Sequence, residues 1–231
     1  MLLGKDSNKV PQVPIEIAQT NFNCHSVLEG NFKMRIIGGQ LKSRKIDFPK
    51  TRATRPMTDR TKETLFNILG NLVFGKPVLD LFAGSGSVGL EALSRGALHV
   101  TFVDEAPAAT KVIERNLASL ELGAKATLIQ TEVHRAIDRL SKHGQKFSLI
   151  FVDPPFEKGY VKKTLMKLDQ SDIVSPFAQV VVGHSRKEEI PESLQSLKLA
   201  RTKRIGQACL SFLFRMDATH GETKGYISGE F

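Results

Sequence analysis

The chain has 231 residues, a mass of 25.5 kDa and 41% hydrophobic residues, which suits one globular domain with at most a small appendage. No apolar stretch approaches the ~18–20 residues of a membrane span, and the first thirty residues lack an apolar signal segment, so we expect a cytoplasmic protein. Two cysteines, Cys24 and Cys209, are too few and too far apart for a disulfide framework or a metal cluster, so no metal site is predicted.

The net charge of +9 is concentrated in one short segment. Between Lys33 and Lys62 there are ten basic residues and two acidic ones, so these thirty residues carry +8 of the net charge. A concentration of this kind favours a polyanion such as nucleic acid as the partner. A solvated basic loop without a partner is the alternative on charge alone.

The N-terminal third is predicted to be a flexible extension followed by a hairpin and a helix. Residues 1–33 are polar and aperiodic. Two strand-like runs at 34–37 and 45–48 flank a polar loop. A helix capped by Thr58 or Asp59 is then predicted, and its apolar stripe consists of Leu65, Leu69 and Leu72.

From residue 78 the sequence alternates apolar runs with amphipathic helices. The predicted strands lie at 78–82, 100–103, 126–129, 149–152 and 179–182, with an antiparallel pair at 197–204 and 208–216. Four helices are predicted between these strands: the first ends near residue 95 and the second spans 107–120. The third carries the apolar stripe Val133, Ile137 and Leu140, and the fourth carries Val161, Leu165 and Leu168. Such repeats predict an α/β fold: a doubly wound, mixed but mostly parallel sheet with helices on both faces.

The pattern therefore divides the chain into four parts: a flexible extension at 1–33, a basic hairpin and helix at 34–75, an α/β domain at 76–216 and a disordered tail at 217–231.

The first candidate site is a glycine-rich turn between the first strand of the α/β domain and the following helix. Gly84, Gly86 and Gly89 have the spacing that allows a tight turn and a close approach of backbone to ligand. Asp104 ends the second strand, twenty residues after Gly84, and is placed to accept hydrogen bonds from ribose hydroxyls. A dinucleotide and an adenosyl cofactor both fit this pattern.

Asp80, at the end of the first strand, favours one of these cofactors. A carboxylate there would repel a pyrophosphate, but it suits the ammonium and sulfonium groups of S-adenosyl-L-methionine. Phe82 is a further candidate for contact with the cofactor. The structural alternative is a tight turn in which Asp80 serves only as a cap.

The second candidate site is the run Asp153, Pro154, Pro155 and Phe156, directly after an apolar strand. The exocyclic amine of a nucleic-acid base is a poor nucleophile because its lone pair is delocalised into the ring. The Asp153 carboxylate and the Pro154 carbonyl would draw that nitrogen towards a tetrahedral geometry, and the prolines would keep the backbone stiff. Phe156 would stack on the base, which stabilises binding by roughly 1–3 kcal/mol. A simple strand-ending turn is the alternative.

Taken together, these motifs resemble the class I methyltransferases, and more closely the bacterial 16S rRNA guanine-N2 methyltransferases of the RsmD type. The blocks that carry the resemblance are 34–39 (MRIIGG), 55–67 (RPMTDRTKETLFN), 79–89 with the glycines, 90–97 (LEALSRGA) and 153–156 (DPPF). The resemblance covers residues 34 to about 216.

The resemblance implies a cofactor, a substrate and a set of contact residues. The cofactor would be S-adenosyl-L-methionine, and Glu132 would contact its adenine amino group. The substrate would be the guanine conventionally numbered 966 in 16S rRNA, methylated on N2, within the small ribosomal subunit or its assembly intermediate. Residues 76–216 would form the catalytic domain, and segment 34–75 would face the RNA. We expect a monomer, whose phosphate contacts would be Arg35, Arg44, Lys45, Arg52, Arg55 and Arg60.

Three other functions fit parts of the sequence. An adenine-N6 or cytosine-N4 methyltransferase would share the Asp153–Phe156 run, although the chain has no room for a target-recognition domain. A nicotinamide-dependent oxidoreductase would use the glycine-rich turn. A non-catalytic RNA-binding module would keep the fold without transferring a methyl group.

Overall fold

A computed structural model describes residues 34–49 and 57–216 of the chain. Its main sheet has seven strands: β3 (Pro77–Leu81), β4 (His99–Asp104), β5 (Ala126–Gln130), β6 (Phe147–Val152), β7 (Val174–Ser185), β8 (Leu197–Ile205) and β9 (Ala208–Arg215). Two-residue strands β1 (Met34–Arg35) and β2 (Lys45–Ile46) pair antiparallel in a separate hairpin. The helices are α1 (Asp59–Leu69), α2 (Ser87–Ser94), α3 (Pro107–Ser119), α4 (Val133–Lys142) and α5 (Tyr160–Asp169).

The strand order in the main sheet is β5-β4-β3-β6-β7-β9-β8. The first five of these strands are parallel, and β9 and β8 each pair antiparallel with their neighbours. This mixed, mostly parallel sheet confirms the predicted doubly wound α/β fold. Because the order reverses between β3 and β6, the carboxyl ends of these two strands border the crevice in which such folds bind ligands.

Apolar side chains fill both faces of the sheet. One cluster packs α1, α2 and α3 against residues such as Val100 and Phe151. The other packs α4 and α5 against Ile150 and Val182. Hairpin residues Met34, Ile36 and Ile46 belong to the first cluster, so the hairpin shares the core of the α/β domain.

Several predicted elements differ from the structure in extent, including the two hairpin strands, which have two residues each instead of four. Helix α1 ends at Leu69 because Gly70 adopts a positive φ of 50°, and Leu72 is 39% exposed instead of completing the apolar stripe. Strand β7 begins at Val174, five residues before the predicted start, although polar and proline residues interrupt its apolar pattern. Only Val174 of this early segment pairs with β6, opposite Phe147, and the register shifts before pairing resumes at Gln179.

The predictions for residues 1–33 and 217–231 fall outside the described part of the chain, and the predicted domain boundaries stay predictions. Within 34–49 and 57–216, no helix combines the length and apolar character needed to cross a bilayer.

Side chains of α2 and α3 fasten the hairpin to the domain. Glu91, which is fully buried, accepts a hydrogen bond from the Ile37 N–H at 2.8 Å. The Ser94 hydroxyl donates to the Gly38 carbonyl at 2.6 Å. Asn116 binds the N–H and the carbonyl of Asp47 at 2.7 and 3.0 Å. Side chains of α2 and α3 therefore form hydrogen bonds with hairpin backbone groups that the pairing of β1 with β2 leaves without partners.

Asn116 also connects the hairpin to the glycine-rich turn. Its side chain is buried, and its Nδ2 atom donates a second hydrogen bond, at 3.1 Å, to the Ser85 carbonyl. One amide group thus joins three segments that are far apart in the sequence.

Replacing Asn116 with alanine tests this role. Asn116→Ala leaves two Asp47 backbone groups and the Ser85 carbonyl without their partner, so we expect the free energy of unfolding to fall by about 1–3 kcal/mol. Thermal denaturation should show a Tm lower by roughly 3–10 °C. Asn67→Ala, at an exposed position of α1, is the matched control and should leave the Tm within about 1–2 °C of wild type. Equal Tm values for the two variants would contradict the assignment.

Candidate active site

The glycine-rich turn follows β3 in a left-handed backbone conformation. The φ angles of Phe82, Gly84 and Gly86 are 60°, 56° and 75°. The Gly86 N–H donates to the Ala83 carbonyl at 2.7 Å, which closes the turn before α2 begins. Phe82 is a non-glycine residue held at positive φ, a strained conformation typical of functional sites.

The third glycine sets the distance between α2 and the sheet. A Cβ atom on Gly89 would overlap the Phe102 ring on β4, so only glycine allows the helix to lie this close. The Gly89 N–H donates to Asp80 Oδ2 at 2.9 Å. Asp80 therefore caps the first turn of α2, which is the structural role that the sequence left open for it. Its Oδ1 atom makes no hydrogen bond within the described residues.

Asp104 holds the other end of the same turn. Its Oδ2 atom accepts the Gly84 N–H at 2.8 Å, and its Oδ1 atom accepts the Ala106 N–H at 2.9 Å. A carboxylate oxygen has lone pairs for more than one donor, so Asp104 can also accept hydrogen bonds from a ligand.

The buried position of Asp80 makes its ionisation sensitive to a ligand. Burial raises the pKa of Asp80 to about 7; the Gly89 hydrogen bond lowers it, and the nearby charges of Asp153 and Asp104 raise it further. A cation bound beside these three carboxylates would favour their ionised forms. Their arrangement thus fits a positively charged ligand and disfavours a pyrophosphate.

Asp153 directly follows β6, the strand next to β3. Its side chain is half-buried and forms no hydrogen bond within the described residues, and burial raises the pKa of its carboxyl to about 6. Pro154 is buried and Pro155 is half-buried, whereas Phe156 is 44% exposed. A carboxylate without a hydrogen-bond partner among the described residues therefore precedes an exposed aromatic residue by three positions, just after the end of β6.

Gly183 is the residue at this site that sequence reasoning missed. It lies on β7, one residue after Val182, which pairs with Val152 of β6. A Cβ atom on Gly183 would overlap Asp153 Oδ1. Because Gly183 has no side chain, the Asp153 carboxylate can occupy the space next to it. The sequence alone does not show this contact, because it depends on the register between β6 and β7.

Glu132 and Phe82 complete the predicted cofactor residues. Glu132 follows β5 and accepts the Arg135 N–H at 3.1 Å as the cap of α4. The Phe82 ring lies 5.7 Å from the ring of Tyr160 at the start of α5. All predicted cofactor and catalytic residues thus lie at the carboxyl edge of neighbouring strands, and their roles stay predictions.

The predicted RNA contacts that are described lie on the hairpin and α1. The Nε atom of Arg35 is 3.3 Å from Asp59 Oδ2, and Arg44 donates to the Ser119 carbonyl at 3.0 Å. Lys45 and Arg60 are exposed. Arg52 and Arg55 lie outside the described residues.

Lys62 contributes to the charge of the segment but not to its surface. Its side chain is fully buried, and its Nζ atom donates to the Arg35 carbonyl at 2.9 Å. Burial lowers the pKa of Lys62, an effect that the Asp59 and Glu91 charges oppose. The sequence count therefore overstates the charge that the segment presents to solvent.

The strand order and the edge residues define a class I methyltransferase fold of the Rossmann-like type. The family model described as "Conserved hypothetical protein 95" matches residues 34–214. The chain belongs to this family, the RsmD-type rRNA methyltransferases.

Two of the curated relatives are rRNA methyltransferases by name. The putative rRNA methyltransferase YlbH of Bacillus subtilis is 37% identical, over 75% of this chain and 94% of the relative. The ribosomal RNA small subunit methyltransferase D of Escherichia coli is 36% identical, over 77% of this chain and 88% of the relative. The comparisons thus support methyltransferase activity on rRNA.

Solved structures share the fold. The putative methyltransferase yhhF from Escherichia coli is 33% identical with a TM-score of 0.70, covering 80% of this chain and 98% of its own. SMU.776, a putative methyltransferase complexed with SAH, is 18% identical with a TM-score of 0.56, covering 68% of this chain and 49% of its own. At that identity the second likeness is one of fold alone.

A methyl group added at Gly183 tests its role in positioning Asp153. Because the new Cβ atom would displace the carboxylate, Gly183→Ala should lower the kcat of methyl transfer by about 10-fold or more, the effect expected from misplacing a reacting group. Overpacking should also lower the free energy of unfolding by about 1–3 kcal/mol. Methyl transfer at a temperature where the variant is folded measures the first effect, and denaturant unfolding measures the second.

Gly123→Ala is the matched control, since a Cβ atom there meets nothing within 4 Å. It should retain wild-type kcat. A Gly183→Ala enzyme with wild-type kcat would show that Asp153 keeps its position without the space that Gly183 leaves.

Proposed function

We propose that the protein transfers a methyl group from S-adenosyl-L-methionine to N2 of a guanine in 16S rRNA, at the position numbered 966. The observation that carries this proposal is the half-buried Asp153 carboxylate, uncommitted within the described residues and one strand away from Asp80. The family membership supports an rRNA substrate, and the Asp153–Phe156 run supports an exocyclic amine as the acceptor.

The carboxyl edge of β3, β4 and β5 would hold the cofactor. Asp80 faces its cationic amino-acid portion, the backbone of Gly84 and Gly86 approaches it closely, and Asp104 accepts its ribose hydroxyls. Glu132 accepts its adenine amino group, and Phe82 contacts it. When bound, S-adenosyl-L-methionine would supply an electrophilic methyl group, and S-adenosylhomocysteine would be the leaving group.

Asp153 and Pro154 would prepare the acceptor nitrogen. With the Asp153 carboxylate and the Pro154 carbonyl accepting its two hydrogens, the N2 lone pair is directed at the methyl carbon. Methyl transfer would form the nitrogen–carbon bond and break the carbon–sulfur bond, and the positive charge developing on N2 would lie close to the Asp153 and Pro154 acceptors. N2 then loses one proton, for which the Asp153 carboxylate is the nearest acceptor.

Phe156 and the basic segment would present the base. The exposed Phe156 ring stacks on a guanine taken out of its helix, because a paired base cannot reach the site. Pro155 fixes the backbone between the carboxylate and the ring. The phosphates on either side would contact Arg35, Arg44, Lys45, Arg52, Arg55 and Arg60. We further propose that the enzyme acts as a cytoplasmic monomer on the small subunit or an assembly intermediate.

Asp153→Asn tests the proposed reaction. The amide keeps the size of the side chain but replaces one acceptor oxygen with a donor, so kcat should fall by about 10²–10³-fold. The measurement is transfer of labelled methyl to small subunits and to free 16S rRNA that lack the modification, followed by digestion to nucleosides. Glu63→Gln, which removes an exposed carboxylate on α1, should retain wild-type activity.

The labelled nucleoside decides between the candidate functions. Label in N2-methylguanosine supports the proposal. Label in N6-methyladenosine or N4-methylcytidine would show that the methyl group goes to adenine or cytosine instead of guanine. Binding of NAD instead of S-adenosylhomocysteine would favour an oxidoreductase. RNA binding without any methyl transfer would leave only the non-catalytic module.

The pH dependence of the reaction should follow the raised pKa of Asp153. Because only the ionised carboxylate accepts from the amine, kcat/KM for RNA at saturating cofactor should fall about tenfold per unit once pH drops below the pKa of Asp153. That pKa is about 6 without a ligand and is lowered by the cation of the bound cofactor. Stability should change in the opposite direction. The carboxyls of Asp80 and Asp153 ionise more readily in the unfolded chain, so their stabilising contribution is complete below about pH 4 and is lost as pH rises through 6 and 7.

Parallel pH profiles of kcat/KM and of urea unfolding measure both effects. A kcat/KM that does not change between about pH 4 and 8 would remove Asp153 from the proposed proton-accepting role.

A further inference from the structure

We propose that strand β8 carries a second RNA-contact surface, which holds the rRNA on the side of the active site opposite the hairpin. We call this surface the basic edge and define it by four residues: Lys198, Arg201, Lys203 and Arg204. The proposal rests on the proposed function for its substrate, but its binding test does not depend on the reaction.

The charge of this strand is of one sign. Four of the nine residues of β8 are basic, and no acidic residue occurs anywhere between positions 193 and 216. A basic stripe along an exposed element is the electrostatic signature of a phosphate backbone partner. This stripe is separate in sequence from the basic segment around the hairpin.

The basic edge is exposed, and its cations are not neutralised within the described residues. Strand β8 is the last strand of the sheet, and Lys198, Lys203 and Arg204 are exposed. None of the four residues forms an ion pair with another described side chain. Lys203 and Arg204 also make no side-chain hydrogen bond within residues 34–49 and 57–216, so their charges are available to a ligand.

Arg201 is held differently from its neighbours. Its guanidinium carbon lies 5.3 Å from the centre of the Phe212 ring, which restrains the side chain. Its Nε atom is buried and has no hydrogen-bond partner. A restrained arginine loses little conformational freedom when it binds a phosphate, which suits it to anion recognition.

Strand register places the end of the basic edge level with the reacting carboxylate. Lys203 is opposite Leu210 on β9, and Leu210 is opposite Gly183 on β7. Gly183 lies against Asp153. Arg204 is one residue nearer the carboxyl edge. Three strand spacings separate β8 from β6, so the backbones near Lys203 and Asp153 are about 14 Å apart.

The hairpin lies towards the other end of the sheet. It is bound to Glu91 and Ser94 of α2 and to Asn116 of α3, the helices that follow β3 and β4. In the strand order, β6 and Asp153 lie between these strands and β8. An RNA strand whose target base enters at Asp153 would therefore meet basic residues on both sides.

Charged residues on an edge strand also prevent edge-to-edge aggregation of sheets. This is the alternative role for the basic edge, and it predicts a different effect of neutralising the four residues. If the basic edge served only that purpose, neutralising it would promote association of the protein with itself and leave RNA affinity unchanged. RNA binding and oligomeric state therefore distinguish the two roles.

The test is the double variant Lys203→Gln/Arg204→Gln. Its Kd for small ribosomal subunits lacking the modification, and for naked 16S rRNA, should rise by about 5–30-fold near physiological salt. The slope of log K against log salt should become shallower by about 1.5, as expected for two lost phosphate contacts. S-adenosylhomocysteine affinity and kcat at saturating RNA should stay at wild-type values, because neither residue contacts the reacting groups.

The matched control is Lys76→Gln/Lys125→Gln, which removes two exposed lysines from the amino ends of β3 and β5, at the opposite edge of the sheet. Equal Kd values for the two double variants would overturn the proposal, as would weaker RNA binding that follows only from self-association in light scattering. If the variant loses RNA affinity but the wild-type enzyme labels no guanine, the result supports RNA binding by the basic edge and contradicts the proposed guanine-N2 reaction.

Discussion

The hydrogen bond between the buried Asp80 carboxylate and the Gly89 N–H is the interaction on which the site depends. It joins the end of β3 to the first turn of α2, and the missing side chain of Gly89 lets that helix rest on Phe102. Because the turn between them is thereby fixed, Gly84 and Gly86 keep their left-handed conformation at the edge of the sheet. Asp104 then holds the same turn from β4.

Keeping that carboxylate out of water is unfavourable in the absence of a ligand. The pKa of Asp80 rises to about 7 because burial and the charges of Asp153 and Asp104 outweigh the Gly89 hydrogen bond. A cation bound at the edge would relieve this repulsion, so part of its binding free energy comes from groups that destabilise the empty protein. The same arrangement is the reason why we expect activity and stability to change with pH in opposite directions.

The sequence predicts those parts of the fold that local pattern controls. The apolar runs of β3, β4, β5 and β6 and the positions of Asp80, Asp104 and Asp153 at their ends follow from strand length and glycine spacing. Gly183 could not be predicted, because its importance depends on the register between β6 and β7. Nor could the burial of Lys62, whose charge is satisfied by Asp59 and by the Arg35 carbonyl. The end of α1 at Leu69 depends on the backbone of Gly70.

The attachment of the hairpin to α2 and α3 also has a consequence for synthesis. The hairpin is made first, but its partners Glu91, Ser94 and Asn116 lie more than fifty residues further along the chain. At 5–20 residues per second, the ribosome needs roughly 3–15 s to add them, and the hairpin cannot dock in that interval. The basic segment that we propose to face rRNA therefore stays undocked for this time on a nascent chain whose own ribosome contains rRNA.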